Sequence, residues 1–88
     1  MCQDLHLTFW SDPGHGWLEV SQEVLDLVGL KPESFSECSY RSGRRFFLEE
    51  DCDAPRFLNA AKEAGHTVTL VEEYEEDIFI LELPGIHD

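Results

Sequence analysis

Two short acidic runs hold the side chains of this sequence that are best placed to do chemistry. The first run fills four of the five positions from 49 to 53, and the second fills five of the six positions from 72 to 77. Carboxylates this close repel one another and oppose folding. A sequence that keeps them therefore indicates a surface whose electrostatic field acts on another molecule. The two runs are Glu49, Glu50, Asp51 and Asp53, then Glu72, Glu73, Glu75, Glu76 and Asp77 around Tyr74.

A docking surface for a basic protein is one interpretation of these runs. Where such a partner binds nucleic acid, the carboxylates would stand in place of phosphates, because duplex DNA carries about one charge per 1.7 Å of its axis and crowded acids approach that spacing. Binding of this kind weakens steeply with salt. The alternative is structural: a solvated turn, and a helix N-terminus whose positive end attracts carboxylates.

Aromatic side chains supply the apolar part of the predicted interface. Strand alternation sends neighbouring aromatics to opposite faces of a sheet, so one face alone does not bury Trp10, Trp17, Tyr40, Phe46 and Phe47. Exposed aromatics rimmed by charge are typical of protein interfaces. We therefore assign Trp10 and Trp17 to the partner-binding surface. The alternative is that loops and the terminal segment fold over these rings.

The loop from Asp12 to Trp17 is the most distinctive short string, since it holds His15 between two glycines. Glycine freedom would bring His15 close to a docked molecule, and Asp12 could orient its imidazole as a general base. No nucleophile motif, phosphate-binding glycine loop or nucleotide fingerprint accompanies the loop. We expect a protein without catalytic residues, and a hydrolase centred on His15 is only the third hypothesis.

Metal and thiol chemistry have weaker support in the sequence. The histidines and cysteines lack the close spacing of a structural zinc site, which needs about four converging ligands. Cys52 lies between two aspartates, whose negative charge raises a thiol pKa and lowers its reactivity. The three cysteines are widely spaced and predict reduced thiols (Cys2, Cys38, Cys52). We expect no metal and no cofactor.

Half of the basic residues lie in five positions, at Arg41, Arg44 and Arg45. We expect these arginines to pair internally with nearby acids such as Glu49 or the run from 72 to 77, each exposed pair contributing only about 0–1 kcal/mol. The alternatives are contact with a carboxylate of a partner, or with the acidic edge of a second copy in a homodimer.

The balance of charge excludes several classes of partner. The chain has 88 residues, with 19 acidic against 6 basic side chains and a formal net charge of −13. Nucleic acids and anionic membranes need a cationic surface, so we expect neither to bind directly. No apolar run approaches the roughly 20 residues that cross a bilayer, and residues 1–10 lack the pattern of a signal peptide. The sequence predicts a single small acidic domain over residues 1–88, located in the cytoplasm.

Apolar spacing divides the chain into strands and helices. Helices are predicted after Ser21 and after Asp51 or Asp53, ending at Gly29 and Gly65, because these residue types cap and terminate helices. Period-two patterns and β-branched or continuous apolar runs predict strands at 5–10, 17–20, 38–40, 45–49, 66–71 and 78–81.

The predicted order is therefore ββαββαββ. The segments 16–19 and 47–49 both carry aromatic-Leu-Glu into a helix, which suggests a degenerate ββα repeat. An amphipathic helix needs an apolar sheet face to cover. We expect an α+β fold in which an antiparallel sheet carries two helices on one face, with its last two strands paired around residues 72–77.

Three strings of this sequence, Asp12–Val20, Ser39–Arg41 and Leu48–Ala54, together resemble a family of short acidic proteins from phages and other mobile elements. The resemblance extends over residues 5 to 71, so the acidic segment from Glu72 onward lies outside it. It implies no activity and no site residues. It implies a context, because small acidic proteins of mobile elements frequently inhibit host defence, as anti-CRISPR and anti-restriction proteins do.

Charge and context together give the leading hypothesis, a non-catalytic inhibitor in the cytoplasm of a host cell. Its partner would be a basic nucleic-acid-binding host protein or nuclease complex, held by the carboxylates at 49–53 and 72–77 and by the exposed aromatics. The inhibitor would act as a nucleic-acid mimic. The alternative is a small structural or regulatory homodimer of a mobile element.

Overall fold

The backbone forms one mixed β-sheet with two helices. A computed structural model describes residues 3–87. The helices are α1 (Gln22–Val28) and α2 (Ala54–Glu63), and two 3-10 turns span Pro32–Ser34 and Phe79–Glu82. The strands are β1 (Asp4–Ser11), β2 (Gly16–Ser21), β3 (Tyr40–Ser42), β4 (Arg45–Glu49) and β5 (Thr67–Tyr74). The predicted α+β class is confirmed.

The sheet is not antiparallel throughout, which corrects the prediction. Its order is β3-β4-β2-β1-β5, and β5 pairs parallel with β1 from Asp4↔Thr67 to Ser11↔Tyr74. The cause is α2, which carries the chain from β4 past β2 and β1 to the far edge. A helical crossover of this kind returns the chain to the same end of the sheet, so the next strand runs parallel.

The predicted last strand at 78–81 is wrong. This segment begins a 3-10 turn, and among residues 3–87 it joins no strand of the sheet. Ile78 and Ile80 are buried, whereas Phe79 and Leu81 are partly exposed. The apolar run therefore buries one of its sides without being a strand of the sheet. The element order is consequently ββαββαβ, and the second ββα unit is followed by a single strand.

Helix α1 begins and ends as its residues predict. The Ser21 hydroxyl accepts a hydrogen bond from the Val24 N–H at 3.2 Å, and Gly29 adopts a left-handed conformation with φ of 79°. Only glycine adopts that conformation without a steric penalty. Helix α2 follows Asp53, but the Asp53 carboxylate makes no capping hydrogen bond, because it is used elsewhere.

Each face of the sheet has its own core. Both helices pack on one face, as expected, where Leu25 and Phe57 join the strand residues Leu18, Phe46 and Leu48. The other face is covered by the segment after β5. There the buried cluster is Trp17, Phe47, Ile78 and Ile80, with Trp10, Tyr40 and Leu83 packed against it.

The aromatics of the second face are thus covered by the chain's own terminal segment, the second of the two alternatives. Phe79 packs edge-on against Trp10 and Phe47, with ring centroids 5.1 and 5.6 Å apart. Edge-to-face pairs of this geometry contribute about 0.5–1.5 kcal/mol beyond their buried area. Within residues 3–87, no helix has the length and apolar character needed to span a membrane.

Candidate functional site

Strand register brings two acidic and two aromatic residues into one row across the sheet. Glu49 of β4 lies opposite Trp17 of β2, Trp17 opposite Trp10 of β1, and Trp10 opposite Glu73 of β5. Paired residues on adjacent strands point to the same face, so all four side chains share the face covered by the terminal segment. Strands spaced about 4.8 Å apart place Glu49 and Glu73 about 14 Å from each other.

The same register collects both acidic runs at one end of the sheet. Strands β1, β4 and β5 finish there and β2 begins there. A hydrogen bond from the Glu50 N–H to the Gly16 carbonyl, at 3.0 Å, holds the turn after β4 at this end. A second hydrogen bond, from the Glu75 N–H to the Ser11 carbonyl at 2.9 Å, holds the chain after β5 there. We call residues 49–51 and 72–77 the acidic end.

Arg44 and Arg45 pair with acids of this chain, as expected, but not with Glu49 or the second run, so they do not neutralise the acidic end. Arg44 pairs with Glu23 at 3.0 Å, and Arg45 pairs with Glu19. Arg41 stacks over the Phe46 ring at 5.4 Å. Among residues 3–87, no lysine or arginine forms an ion pair with a carboxylate of the acidic end.

Some carboxylates of the first run are used within the fold, and others are accessible at the surface. Asp53 is 3% exposed and accepts hydrogen bonds from the Ser36 N–H and hydroxyl and from the Ser39 hydroxyl. It therefore fixes the loop before β3 and does not contribute to a docking surface. Glu49 is half-buried, and its Oε2 accepts from the N–H groups of Asp51 and Cys52, both at 2.9 Å. Asp51 is exposed and Glu50 is half-buried.

The second run is wholly exposed. Glu72, Glu73, Tyr74, Glu75, Glu76 and Asp77 are all exposed, and Tyr74 retains 59% of its accessible surface. Glu72, Glu73 and Tyr74 end β5, which is longer than predicted, and the rest form the connection to the terminal segment. This run therefore supplies most of the accessible charge of the acidic end.

The two tryptophans are not exposed platforms. Trp10 is half-buried, and its indole N–H donates to Glu19 Oε1 at 2.8 Å. Trp17 is 2% exposed, and within the described part of the chain its indole nitrogen has no hydrogen-bond partner. A buried donor without a partner costs about 1–3 kcal/mol.

Trp17 forms part of the wall of a cavity of about 390 Å³ beside the first acidic run. The volume lies in the range of about 300–1,000 Å³ that is usual for ligand pockets. The turn before β2, the loop before β3, the turn after β4 and the terminal segment all contribute to it. Its lining comprises His15, Trp17, Cys38, Tyr40, Glu49, Asp51, Cys52 and Leu81.

This cavity was not predicted from the sequence. Trp17, Glu49 and Asp51 were predicted as an interface, Cys38 was considered only as a metal ligand or a reduced thiol, and Leu81 only as part of a strand. Residues from the strings Asp12–Val20, Ser39–Arg41 and Leu48–Ala54 all line this cavity. The ring centroids of Trp17 lie 6.3 Å from Tyr40 and 5.8 Å from His15, so three aromatic rings adjoin.

Cys38 and Cys52 meet at the cavity, with 3.8 Å between their sulfurs. Both are free thiols and exposed. Hydrogen bonds with Cys38, and then with the Glu49 carboxylate, raise the pKa of the Cys52 thiol from 9.0 to about 11. The direction agrees with the sequence-based expectation, although the neighbours responsible are Cys38 and Glu49 instead of the flanking aspartates.

The proposed orientation of His15 by Asp12 is not observed. Asp12 Oδ1 accepts from the N–H groups of Gly14 and His15, at 2.9 and 2.6 Å, and so closes its own turn. The imidazole Nδ1 lies 4.0 Å from that oxygen, beyond hydrogen-bond distance. His15 lines the cavity, and among residues 3–87 no carboxylate accepts a hydrogen bond from its imidazole.

Carboxylates of Glu49, Glu50 and Asp51 lie close enough to hold a cation, with one oxygen of each within 4.8 Å of the others. An all-oxygen set of this kind suits Ca²⁺ or Mg²⁺. Exposed acidic groups approach one another in many proteins without binding a metal, and the grouping alone does not define a metal site.

Comparison with protein-family models, with curated proteins and with solved structures finds no match for this chain.

Proposed function

We propose that this chain is a non-catalytic inhibitor that binds a basic, nucleic-acid-handling protein of a host cell through its acidic end. The observation that carries the proposal is the convergence of two acidic runs, distant in sequence, at one end of the sheet. Among residues 3–87, no carboxylate of this acidic end forms an ion pair with a lysine or arginine. Unpaired carboxylates that repel one another gain free energy when cations of another molecule approach.

The geometry also supports competition with nucleic acid. Glu49 and Glu73 are the two ends of the row of four residues across the sheet, and they lie about 14 Å apart. Further carboxylates follow each of them in the chain. Such a band extends over a length comparable to several phosphates of a nucleic acid strand, so a phosphate-binding groove is a suitable receptor. Anti-CRISPR and anti-restriction inhibitors are the class of protein to which we assign it.

Inhibition of purified nucleases tests the proposal. A guide-RNA-directed nuclease and a restriction nuclease are each incubated with labelled duplex DNA and increasing amounts of the protein. Cleavage by a susceptible nuclease should fall, and the inhibition should weaken as NaCl rises. Charge reversal at Glu73, Glu75 and Glu76 to Lys should abolish inhibition without lowering thermal stability.

A matched variant separates local charge from net charge. Reversal to Lys at the exposed Asp26, Glu33 and Glu63 changes the net charge by the same amount at positions outside the acidic end. We expect that variant to retain most of the inhibition. Equal inhibition by both variants, salt-independent inhibition, or intact cleavage with every nuclease class tried would refute the proposal.

A homodimer is the second candidate, and the open edge of β5 favours it. The N–H groups of Thr67 and Glu75 donate to the carbonyls of Gln3 and Ser11 on the β1 side, both at 2.9 Å. Backbone groups alternate sides along a strand, so those of Leu70 and its alternate neighbours point outward. An open edge can pair with a second copy.

Light scattering distinguishes this candidate. A dimer built on β5 has twice the monomer mass, and Leu70→Pro should return it to a monomer, because proline blocks the outer edge without removing a hydrogen bond to β1. A monomeric wild-type chain excludes it.

A further inference from the structure

We propose that Cys38 and Cys52 form a reversible modification site, at which a small-molecule disulfide such as glutathione disulfide oxidises the two thiols to an intramolecular disulfide. The site goes beyond the proposed function and is independent of it, because its chemistry requires no basic partner. It depends on two sulfur atoms and on the loops that hold them together.

The two sulfurs are already in contact. The Cys52 thiol donates a hydrogen bond to the Cys38 sulfur at 3.8 Å. Formation of an S–S bond of about 2.05 Å therefore requires the sulfurs to approach by about 1.8 Å, which rotation of the two side chains supplies. Both thiols are free and exposed, and both line the cavity of about 390 Å³, so a small oxidant reaches them in the folded protein.

Hydrogen bonds hold the backbone on both sides of this contact. The residues that follow the two cysteines are joined directly, because the Ser39 hydroxyl donates to the Asp53 carboxylate. The Ser36 hydroxyl donates to the same carboxylate at 2.8 Å and accepts from the Cys38 N–H at 3.2 Å. The fold thus keeps the two thiols adjacent, and such proximity raises the effective concentration of one thiol at the other.

The surroundings of the thiols favour a disulfide over a metal site. A structural zinc site needs about four converging ligands. Among residues 3–87, the metal-ligating atoms that lie within 4.8 Å of one another in a group of three belong to Glu49, Glu50 and Asp51, and neither thiol is part of that group. A disulfide needs no third ligand, so the two thiols are sufficient for it.

Oxidation proceeds by two balanced thiol–disulfide exchanges. Cys38 attacks first, because hydrogen bonding with Cys38 raises the pKa of Cys52 to about 11 and keeps that thiol protonated. Its sulfur bonds to one sulfur of glutathione disulfide, whose S–S bond breaks, and one glutathione leaves and takes up a proton. The mixed disulfide carries no negative charge that would hold the proton on Cys52. The Cys52 thiolate then attacks the Cys38 sulfur, and the second glutathione leaves and is protonated.

Mass spectrometry of the folded protein in glutathione buffers tests the site. The reduced chain is incubated at pH 8 without oxygen and with EDTA, at increasing ratios of glutathione disulfide to glutathione, and the reaction is stopped with acid. The intact mass should fall by about 2 Da, the mass of two hydrogens, and dithiothreitol should restore it. Trypsin cleaves after Arg41 and Arg45, so the peptides of the two cysteines separate unless the disulfide joins them.

Serine variants provide the matched controls. Cys2→Ser keeps both members of the pair and should lose about 2 Da as the wild-type chain does. Adding Cys38→Ser or Cys52→Ser to that variant removes one member and should abolish the loss. The oxidised Cys2→Ser protein should unfold about 5 °C or more above its reduced form, since the disulfide closes a loop of about 15 residues in the unfolded chain. The midpoints of the two double variants should not rise on oxidation.

Unfolding shows whether the fold causes the pairing. In concentrated urea, at the same glutathione ratio, the ratio of oxidised to reduced Cys2→Ser protein should be about tenfold or more lower, because the loops no longer hold the thiols adjacent. Three outcomes would overturn the site: no Cys38–Cys52 peptide at the highest ratio of glutathione disulfide, glutathione that remains attached to both cysteines, or equal closure in the folded and unfolded chain.

Discussion

The hydroxyl of Ser39 donates a hydrogen bond to the buried carboxylate of Asp53, joining the loop before β3 to the start of α2. Ser36 donates to the same carboxylate from its N–H and its hydroxyl, at 3.0 and 2.8 Å. Ser39 is itself buried, and it also accepts from the Glu49 N–H at 3.1 Å. The loop that carries Cys38 and Tyr40 to the cavity is therefore positioned by one buried acid.

Asp53→Ala should destabilise the protein by about 3 kcal/mol, since hydrogen bonds to a charged group contribute about 1.5–3 kcal/mol each and the Ser39 hydroxyl left without an acceptor is buried. Urea unfolding followed by circular dichroism measures the change. Asp51→Ala, two residues earlier and exposed, is the control and should change stability by less than about 0.5 kcal/mol. Equal effects of the two substitutions would contradict a structural role specific to Asp53.

Ile80→Ala should lower the free energy of unfolding by about 2–5 kcal/mol, the usual cost of truncating a fully buried aliphatic side chain. Ile80 belongs to the segment after β5 and is 0% exposed, whereas the adjacent Leu81 is 51% exposed. Leu81→Ala should therefore cost less than about 1 kcal/mol. If Ile80→Ala were as mild as Leu81→Ala, the segment after β5 would not cover Trp17 and Phe47 in solution.

Gly16→Ala should destabilise the protein by about 1–3 kcal/mol through overpacking. A Cβ at this position would lie 2.6 Å from the Phe9 ring and 2.7 Å from Glu50 Oε2. Gly14→Ala is the matched control in the same loop, because its Cβ would meet nothing closer than 4.0 Å. Neither glycine has a positive φ, so the difference between the two thermal midpoints measures steric space alone.

The thermal midpoint of the wild-type protein should rise as NaCl increases from low to physiological concentration. Salt screens repulsion among the exposed carboxylates, and with a net charge of −13 this outweighs the weakening of two surface ion pairs worth about 0–1 kcal/mol each. Replacing Glu72, Glu73, Glu75 and Glu76 by Gln should raise the midpoint at low salt and flatten the dependence. A midpoint that falls with salt in the wild-type chain would contradict this account.

Alkylation of Cys52 by iodoacetamide should be slow at neutral pH. Only the thiolate reacts, and a pKa raised from 9.0 to about 11 keeps the thiolate a minor species until the pH approaches 11. The rate should therefore increase by about tenfold per pH unit through the neutral range, without a plateau below about pH 10. Peptide mapping by mass spectrometry separates Cys52 from the other cysteines.

Cys38→Ala and Glu49→Gln should each accelerate the alkylation of Cys52 at pH 8, because the two hydrogen-bonding neighbours raise its pKa. Asp77→Asn serves as the control for a change of charge elsewhere. A rate–pH curve with its midpoint near pH 9 in the wild-type chain would show that neither neighbour acts on the thiol.

Local signals predicted the local structure well. Ser21 and Gly29 define α1 because capping and left-handed geometry depend on neighbouring residues only. The pairing of β5 with β1 could not be predicted in this way, because it depends on where the α2 crossover delivers the chain. The strand predicted at 78–81 was wrong for a related reason. An apolar run shows that a segment is buried, but not whether it joins the sheet or lies across it.

In the candidate site, too, the local features were predicted and the tertiary arrangement was not. The two acidic runs are evident in the sequence, but their convergence follows from a register that pairs Trp10 with Glu73 and Trp17 with Glu49. The cavity is lined by His15, Tyr40 and Leu81 from three separate segments, so no residue spacing along the chain predicts it. The indole N–H of Trp17 without a partner is visible only once packing is known.

The placement of the arginines at the opposite end of β4 has a kinetic consequence. Arg45 begins the strand and Glu49 ends it, about 14 Å apart at the usual rise per residue. Arg44 and Arg45 are paired with glutamates at one end, while the carboxylates of the acidic end have no basic partner among residues 3–87, so charge is uneven along the sheet and gives an electric dipole. Under the proposed function, the field of a cationic receptor would exert a torque on that dipole, so molecules would approach the receptor with their carboxylates foremost. Their association rate would then exceed that of an isotropic anion of equal net charge.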